Sequence, residues 1–432
     1  MQYFPKMKIL VLAALFALVN AKHEQYIGWK SYFVGPASLE QLTSLHSSSN
    51  QFRLDILSRP TVQTAGVILV HPESQTDFIN NLEYLGISYS VHVNDVKIQL
   101  DRDDEITDSW KQSLSRSENS TLPFDNYQDW EMIVSYLNET AVRNPNTTTL
   151  EKGGLSSEGR DLYYLKISTT NFEDLSKPII LIDAGIHARE WIGIPVATWI
   201  INKLTDELNE TDLLEKFDWI IVPVVNPDGY VYTRENDRFW RKTRSNNTNN
   251  WECVGADANR NFDHYWNTEG VSQDPCDETF AGIEVFSEPE SRFIKEIINE
   301  NLARIALYVT LHSYGSTITY PWSHRIGLSN NALGLHAVGI TIVNGIQEFA
   351  LPQFPRYEVG SSALVLGELI SGSSDDYAHS IGVPLTLTVR LPGLIPRSSA
   401  GFILDPQYIR QVVTETWNGI AAGARRAGEL VN

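Results

Sequence analysis

Cysteine is scarce. The 432 residues contain two, Cys253 and Cys276, so at most one intramolecular disulfide can form. Positive charge is scarce as well: 34 Lys and Arg stand against 53 Asp and Glu, a formal net charge of −19. So acidic a chain argues against nucleic acid as partner, because phosphate contacts need a basic face. Beyond the first twenty residues no apolar run is long enough to span a bilayer. Internal repeats and low-complexity segments are also absent. What remains, 42% hydrophobic and 20% charged residues, describes a globular protein, neither disordered nor fibrous. Its length is large for one core, so two domains are expected.

The N-terminus carries Lys6 and Lys8, an apolar run over 9–19, and the small-residue end Val19-Asn20-Ala21. This pattern predicts a secretory signal peptide over residues 1–21. A short buried helix fits the positive flank poorly. Export predicts an oxidising, extracellular setting, where Cys253 and Cys276 would close a disulfide contributing about 3 kcal/mol by loop entropy. Acceptor triplets at Asn119, Asn138, Asn146, Asn209 and Asn246 predict glycosylation of a secreted chain.

Residues 22–100 alternate strand and helix patterns: strands over 25–34, 52–57, 66–70 and 89–100, helices over 39–45 and 76–85. The order βαββαβ predicts a small α+β domain, an antiparallel open sandwich with helices on one face. Residues 101–121 are polar without periodicity and read as a linker, with Lys111 and Arg116 as cleavage candidates. From 122 to 432, helix patterns separate apolar strands over 163–167, 179–184, 218–225, 304–311 and 385–391. That alternation predicts an α/β/α domain with a mixed, mostly parallel sheet, its ligand site outside the carboxyl ends of the strands. His187, Asn226 and His312 each come just after such an end.

His187-x-x-Glu190 follows the strand over 179–184. An imidazole and a carboxylate at that spacing can reach one point, and with a third ligand they suit zinc with one position left open. Alone, the pair could be a solvated loop dipeptide. His312, after Leu307-Tyr308-Val309-Thr310-Leu311, supplies the third donor; by itself it reads equally as a hydrogen-bonded structural histidine.

With these residues in view, the sequence resembles the zinc carboxypeptidases of the pancreatic procarboxypeptidase A/B type over nearly its whole length. The resemblance implies a signal, an activation domain, a linker cut by a serine protease, and a monomeric catalytic domain. It implies one zinc ion on His187, Glu190 and His312, and a disulfide between Cys253 and Cys276. Arg238-Phe239-Trp240-Arg241-Lys242-Thr243-Arg244 looks like the stretch whose arginine, here Arg241, polarises the scissile carbonyl. Asp257-Ala258-Asn259-Arg260-Asn261-Phe262 looks like the stretch whose Asn259 and Arg260 grip the substrate's α-carboxylate. Arg189, Tyr314 and Phe402 are implied in substrate binding too. Chemistry supports the assignments: a planar guanidinium binds a carboxylate bidentately, and a second one near the metal offsets charge on a tetrahedral intermediate. Either arginine in isolation would read as a surface ion-pair residue.

Ser371-Gly372-Ser373-Ser374-Asp375-Asp376-Tyr377 resembles the loop lining the family's side-chain pocket, with Asp375 at the floor. A buried carboxylate there favours C-terminal Lys or Arg; the alternative is an Asp that caps a loop. Two departures stand out. Glu368 occupies the place of the family's mobile tyrosine. In Thr388-Val389-Arg390-Leu391, Arg390 occupies that of the general-base glutamate. Losing a positioned acid/base costs typically ~100- to 10,000-fold, and a guanidinium accepts no proton at neutral pH. Glu368 and Arg390 are expected to pair across the cleft, or Glu368 to act as base from a new direction. Two readings follow: a secreted procarboxypeptidase with impaired turnover, or a non-hydrolytic binder of peptide C-termini or of carboxypeptidase inhibitors.

Overall fold

A computed structural model describes residues 22–62, 65–114, 122–206, 210–249, 252–393 and 401–431. The expected signal peptide, Arg116, Asn119, Asn209 and residues 394–400 lie outside the described residues. The chain divides into two units at about residue 117, the second unit giving up residues 234–238 to the first.

In the smaller unit, β1 (Lys30–Gly35), β2 (Leu54–Ser58), β3 (Gly66–Val70) and β4 (Ser88–Val93) form an antiparallel sheet in the order β2-β3-β1-β4. Helices Leu39–Ser49 and Gln75–Tyr84 bury Leu45, Phe78 and Leu82 against Tyr32, Val34, Ile68 and Val70 of the sheet. The first helix starts where Ser38 accepts the amide of Gln41, an N-cap. Two expectations are corrected. The opening strand begins at Lys30, because residues 24–26 form a 3-10 turn. The closing strand ends at Val93, and Val96–Leu114 is one helix running through most of the expected linker. Asp95 caps it by accepting from Ile98, and Lys97–Asp101 (2.7 Å) and Gln99–Asp103 (3.1 Å) pair along it at i,i+4. Its polar surface hid the helical stripe that begins with buried Val96 and Leu100.

The larger unit is built on an eight-stranded sheet. Its strands are β5 (Thr148–Leu155), β6 (Asp161–Ile167), β7 (Ile179–Ala184), β8 (Asp218–Val222), β9 (Ile305–Ser313), β10 (Thr317–Tyr320), β11 (Glu358–Ser361) and β12 (Thr386–Leu391). They lie in the order β11-β10-β12-β9-β7-β8-β6-β5, with four ladders parallel and three antiparallel. Every residue of β7, β8 and β9 is buried, as befits central strands covered on both faces. Alternation along β7 sends Ile180 and Ile182 into one core and Ile179 and Leu181 into the other. Helices Trp130–Arg143, Gly193–Thr205, Ala332–Gln347 and Ile409–Val431 cover the first face. Helices Pro289–Asn301 and Ser374–Ser380 cover the second. Each such buried Ile or Leu contributes about 1.5–3 kcal/mol, so the sheet is a rigid base for whatever its strand ends carry. No helix among the described residues is long and apolar enough to cross a membrane. Of the acceptor asparagines described, Asn138 and Asn146 are exposed and Asn246 is half-buried.

Candidate metal centre

β7 stops at Ala184 and the chain turns at Gly185, whose φ of 69° suits a residue without a β-carbon. That turn delivers His187 and Glu190 ahead of helix Gly193–Thr205. β7 and β9 are parallel neighbours, so their carboxyl ends lie side by side and His312 meets Glu190 across 122 residues of sequence. His312 sits within β9, which continues to Ser313, rather than after it as the apolar run implied. Asn226, by contrast, is a brace. Its amide donates to the carbonyls of Ile186 and Lys242, holding the loops that carry His187 and Arg241.

His187 Nδ1 lies 2.8 Å from Glu190 Oε1 and His312 Nδ1 lies 2.9 Å from Glu190 Oε2. The three donor atoms fall within 4.8 Å of one another, and all three side chains are buried. Burial opposes charge on Glu190, but His187 and His312 outweigh it and hold the carboxyl well below the usual range. Burial pushes His312 down to about 4, against the pull of Glu190 and with help from His187 and Arg390, so its imidazole is neutral at physiological pH. His187 Nε2 is 3.0 Å from Asp257 Oδ1, so Asp257 can accept the Nε2 proton and free Nδ1 to ligate an ion shared with Glu190. Two lone-pair nitrogens and one ionised carboxylate converging in a dry site fit zinc.

Asp257, present in the quoted stretch but assigned no role there, is the hub of the second layer. Its Oδ2 accepts from Arg241 Nε (3.0 Å) and Nη2 (2.7 Å), and its Oδ1 accepts the Asn259 amide (2.9 Å). Burial alone would raise its carboxyl, yet Arg241, Arg260 and His187 hold it well below the ordinary value. The readable signal was its capping of the turn Ala258–Arg260. Arg241 also reaches Glu190, at 3.8 Å.

Residues 133–419 match the zinc carboxypeptidase family and residues 32–103 match the carboxypeptidase activation peptide. The chain belongs to the zinc carboxypeptidase family. Carboxypeptidase B of Helicoverpa zea is 54% identical over 429 residues, covering 98% of this chain and 99% of that one. The crystal structure of carboxypeptidase A from Helicoverpa armigera is 39% identical with a TM-score of 0.89, covering 95% and 100%. Bovine thrombin-activatable fibrinolysis inhibitor, solved in complex with tick carboxypeptidase inhibitor, is 33% identical with a TM-score of 0.65, covering 71% and 99%. With an activation peptide ahead of its zinc carboxypeptidase domain, the chain has the organisation of a proenzyme metallocarboxypeptidase.

In this zinc carboxypeptidase the remaining residues expected at the site are each held by contacts of their own. Asn259 Oδ1 accepts the Ser374 amide at 2.9 Å, tying its segment to helix Ser374–Ser380. Arg260 Nε donates to the Gly270 carbonyl (3.1 Å), and Nη1 donates to the Asn259 carbonyl (3.1 Å). Arg189 donates to the Phe239 carbonyl and stacks on Phe402, 4.7 Å from the ring centre. Tyr314 meets the same ring edge-on at 5.0 Å. Cys253 and Cys276 are disulfide-bonded. Asp375 is buried in the first turn of its helix and accepts from Thr388 at 3.0 Å; the cap position belongs to Ser373. Burial and neighbouring Asp376 raise the Asp375 carboxyl. Arg390 is the register partner of His312 and donates to Thr319 Oγ1 at 3.3 Å. Burial works against its charge, while Glu190, Glu368 and Asp375 support it.

Proposed function

We propose that this zinc carboxypeptidase is a secreted, monomeric proenzyme that captures the last residue of a peptide but hydrolyses its bond poorly. His187, Glu190 and His312 hold one zinc ion, which when bound supplies Lewis-acid polarisation of the scissile carbonyl. Arg260 and Asn259 grip the terminal carboxylate; a guanidinium and an amide discriminate a chain end from an internal residue. Arg241, fixed by two bonds to Asp257, faces the negative charge that develops on the carbonyl oxygen. Arg189, Tyr314 and Phe402 form a wall for the substrate, and Asp375 biases the site towards Lys or Arg. A serine protease cutting after Lys111 or Arg116 releases the catalytic domain, a role consistent with the match to a carboxypeptidase activation peptide.

One observation carries the impaired turnover: a guanidinium, Arg390, is paired in register with His312. It can neither take the proton of the attacking water nor return one to the leaving amine. The same residue favours a second reading, a non-hydrolytic protein that binds peptide C-termini or carboxypeptidase inhibitors, since Arg241, Asn259 and Arg260 are all retained. The bovine relative's complex with tick carboxypeptidase inhibitor supports testing inhibitor capture directly. The deciding experiment pairs a zinc analysis with hydrolysis of peptides ending in Arg, Leu and Phe. Turnover equal to that of an ordinary carboxypeptidase refutes the impaired-base account.

A further inference from the structure

A second histidine–carboxylate cluster lies in the larger unit, sharing no residue with the first. The donor atoms of His264, His324 and Asp376 fall within 4.8 Å of one another. His324 Nδ1 is 2.8 Å from Asp376 Oδ2, the same short imidazole–carboxylate approach that joins Glu190 to His187 and His312. His264 Nε2 is enclosed and has no hydrogen-bond partner among the described residues, and an orphaned polar atom of this kind is destabilising. Stacking fixes both rings: His264 lies on Trp322 at 23° and 5.0 Å, and His324 lies on Tyr265 at 11° and 4.2 Å. The two imidazoles meet edge-on, 4.6 Å between centres.

We infer that His264, His324 and Asp376 bind a second transition-metal ion of the zinc class. Two imidazoles and one carboxylate repeat the donor types of the first centre and suit zinc over the oxygen-loving calcium and magnesium. Asp376 also accepts the backbone amides of Ser323 and His324, at 3.0 and 3.1 Å. These amide bonds account for the carboxylate, but they leave His264 Nε2 without a partner among the described residues. The position gives the ion a structural task. His264 comes four residues after Arg260, and its carbonyl already accepts the Gly372 amide at 3.0 Å; Asp376 follows Asp375. An ion joining them cross-links the segment bearing Asn259 and Arg260 to the helix bearing Asp375.

The test is equilibrium dialysis of the full chain against Zn2+, counting metal per chain. Wild type is expected to hold two ions, His264→Ala and His264→Gln one each, His187→Ala one, and His187→Ala/His264→Ala none. A count unchanged by both His264 substitutions, in chains with wild-type circular dichroism, overturns the inference. Failure of the first centre reads differently, as a count that His187→Ala does not lower. A second measurement leaves residue 264 intact: zinc should raise the Tm of His187→Ala and Co2+ should give it a tetrahedral visible absorption. Neither response appearing also overturns the second site.

Discussion

Arg390 and His312 are register partners on the parallel strands β12 and β9, so a guanidinium emerges from the sheet beside a candidate zinc ligand. The strand pairing fixes this neighbourhood; a rotamer change cannot carry Arg390 to another part of the molecule. Replacing it should therefore restore chemistry in place. Arg390→Glu combined with Glu368→Tyr is expected to raise kcat/KM on a peptide ending in Arg by ~100- to 10,000-fold. Glu368→Gln alone separates the two roles open to Glu368: residual activity falls if Glu368 is the base and holds if it only pairs with Arg390. A double variant no faster than wild type, with zinc bound, means that the missing base does not limit turnover.

Asp257 joins His187 to Arg241, and one substitution should disturb both. Asp257→Asn keeps the shape but removes the charge that two cations and an imidazole stabilise. Loss of such an outer-layer carboxylate typically lowers metal affinity about 10- to 100-fold. Zinc competition with a chromogenic chelator measures this. Affinity within twofold of wild type would mean that His187 needs no orienting partner.

Much of this was legible before any coordinates. The continuous apolar runs of β7, β8 and β9 announce strands buried on both faces, and His187 and His312 stand at two of their carboxyl ends. The three donors could be read because zinc demands particular residue types at particular places. β10 and β11, Thr-Ile-Thr-Tyr and Glu-Val-Gly-Ser, were missed; each is four residues long and carries no apolar run. The roles of Asp257 and Asn226 escaped for another reason. Asp257 meets His187 from 70 residues away, and Asn226 acts on two loop carbonyls, so neither role exists until the chain has folded.

Glu415, buried on helix Ile409–Val431, offers a test of pH dependence at a group that is none of the metal donors. Burial raises its carboxyl to about 7, partly opposed by Gln411. The unfolded value is 4.5, so between about 4.5 and 7 the folded chain keeps a proton that the unfolded chain has lost. Stability therefore falls as pH rises through that window, and the full cost stands above it. Glu415→Gln removes the term. Its Tm should equal that of wild type at about pH 4.5 and exceed it by a few degrees at about pH 8, an effect of order 2 kcal/mol. An equal offset at both pH values would show that Glu415 does not titrate in this range.

The last prediction concerns which residue the site prefers. Thr319 and Thr388 are cross-strand partners on β10 and β12 and share one face, as does Arg390 two residues on. Thr388 donates to Asp375, while Thr319 accepts from Arg390. One cross-strand pair thus links the guanidinium to the carboxylate that, on the proposed reading, a basic substrate side chain would seek, and Asp375 supports the charge of Arg390. Wild type should then discriminate weakly between peptides ending in Arg and in Leu. Arg390→Ala should tighten binding of the Arg peptide about tenfold, or 1.4 kcal/mol, and leave the Leu peptide nearly unchanged. Adding Asp375→Asn should cancel the gain. Calorimetry on the trypsin-treated chain reads all three, and an equal gain for both peptides would mean that Arg390 blocks the site by bulk rather than by satisfying Asp375.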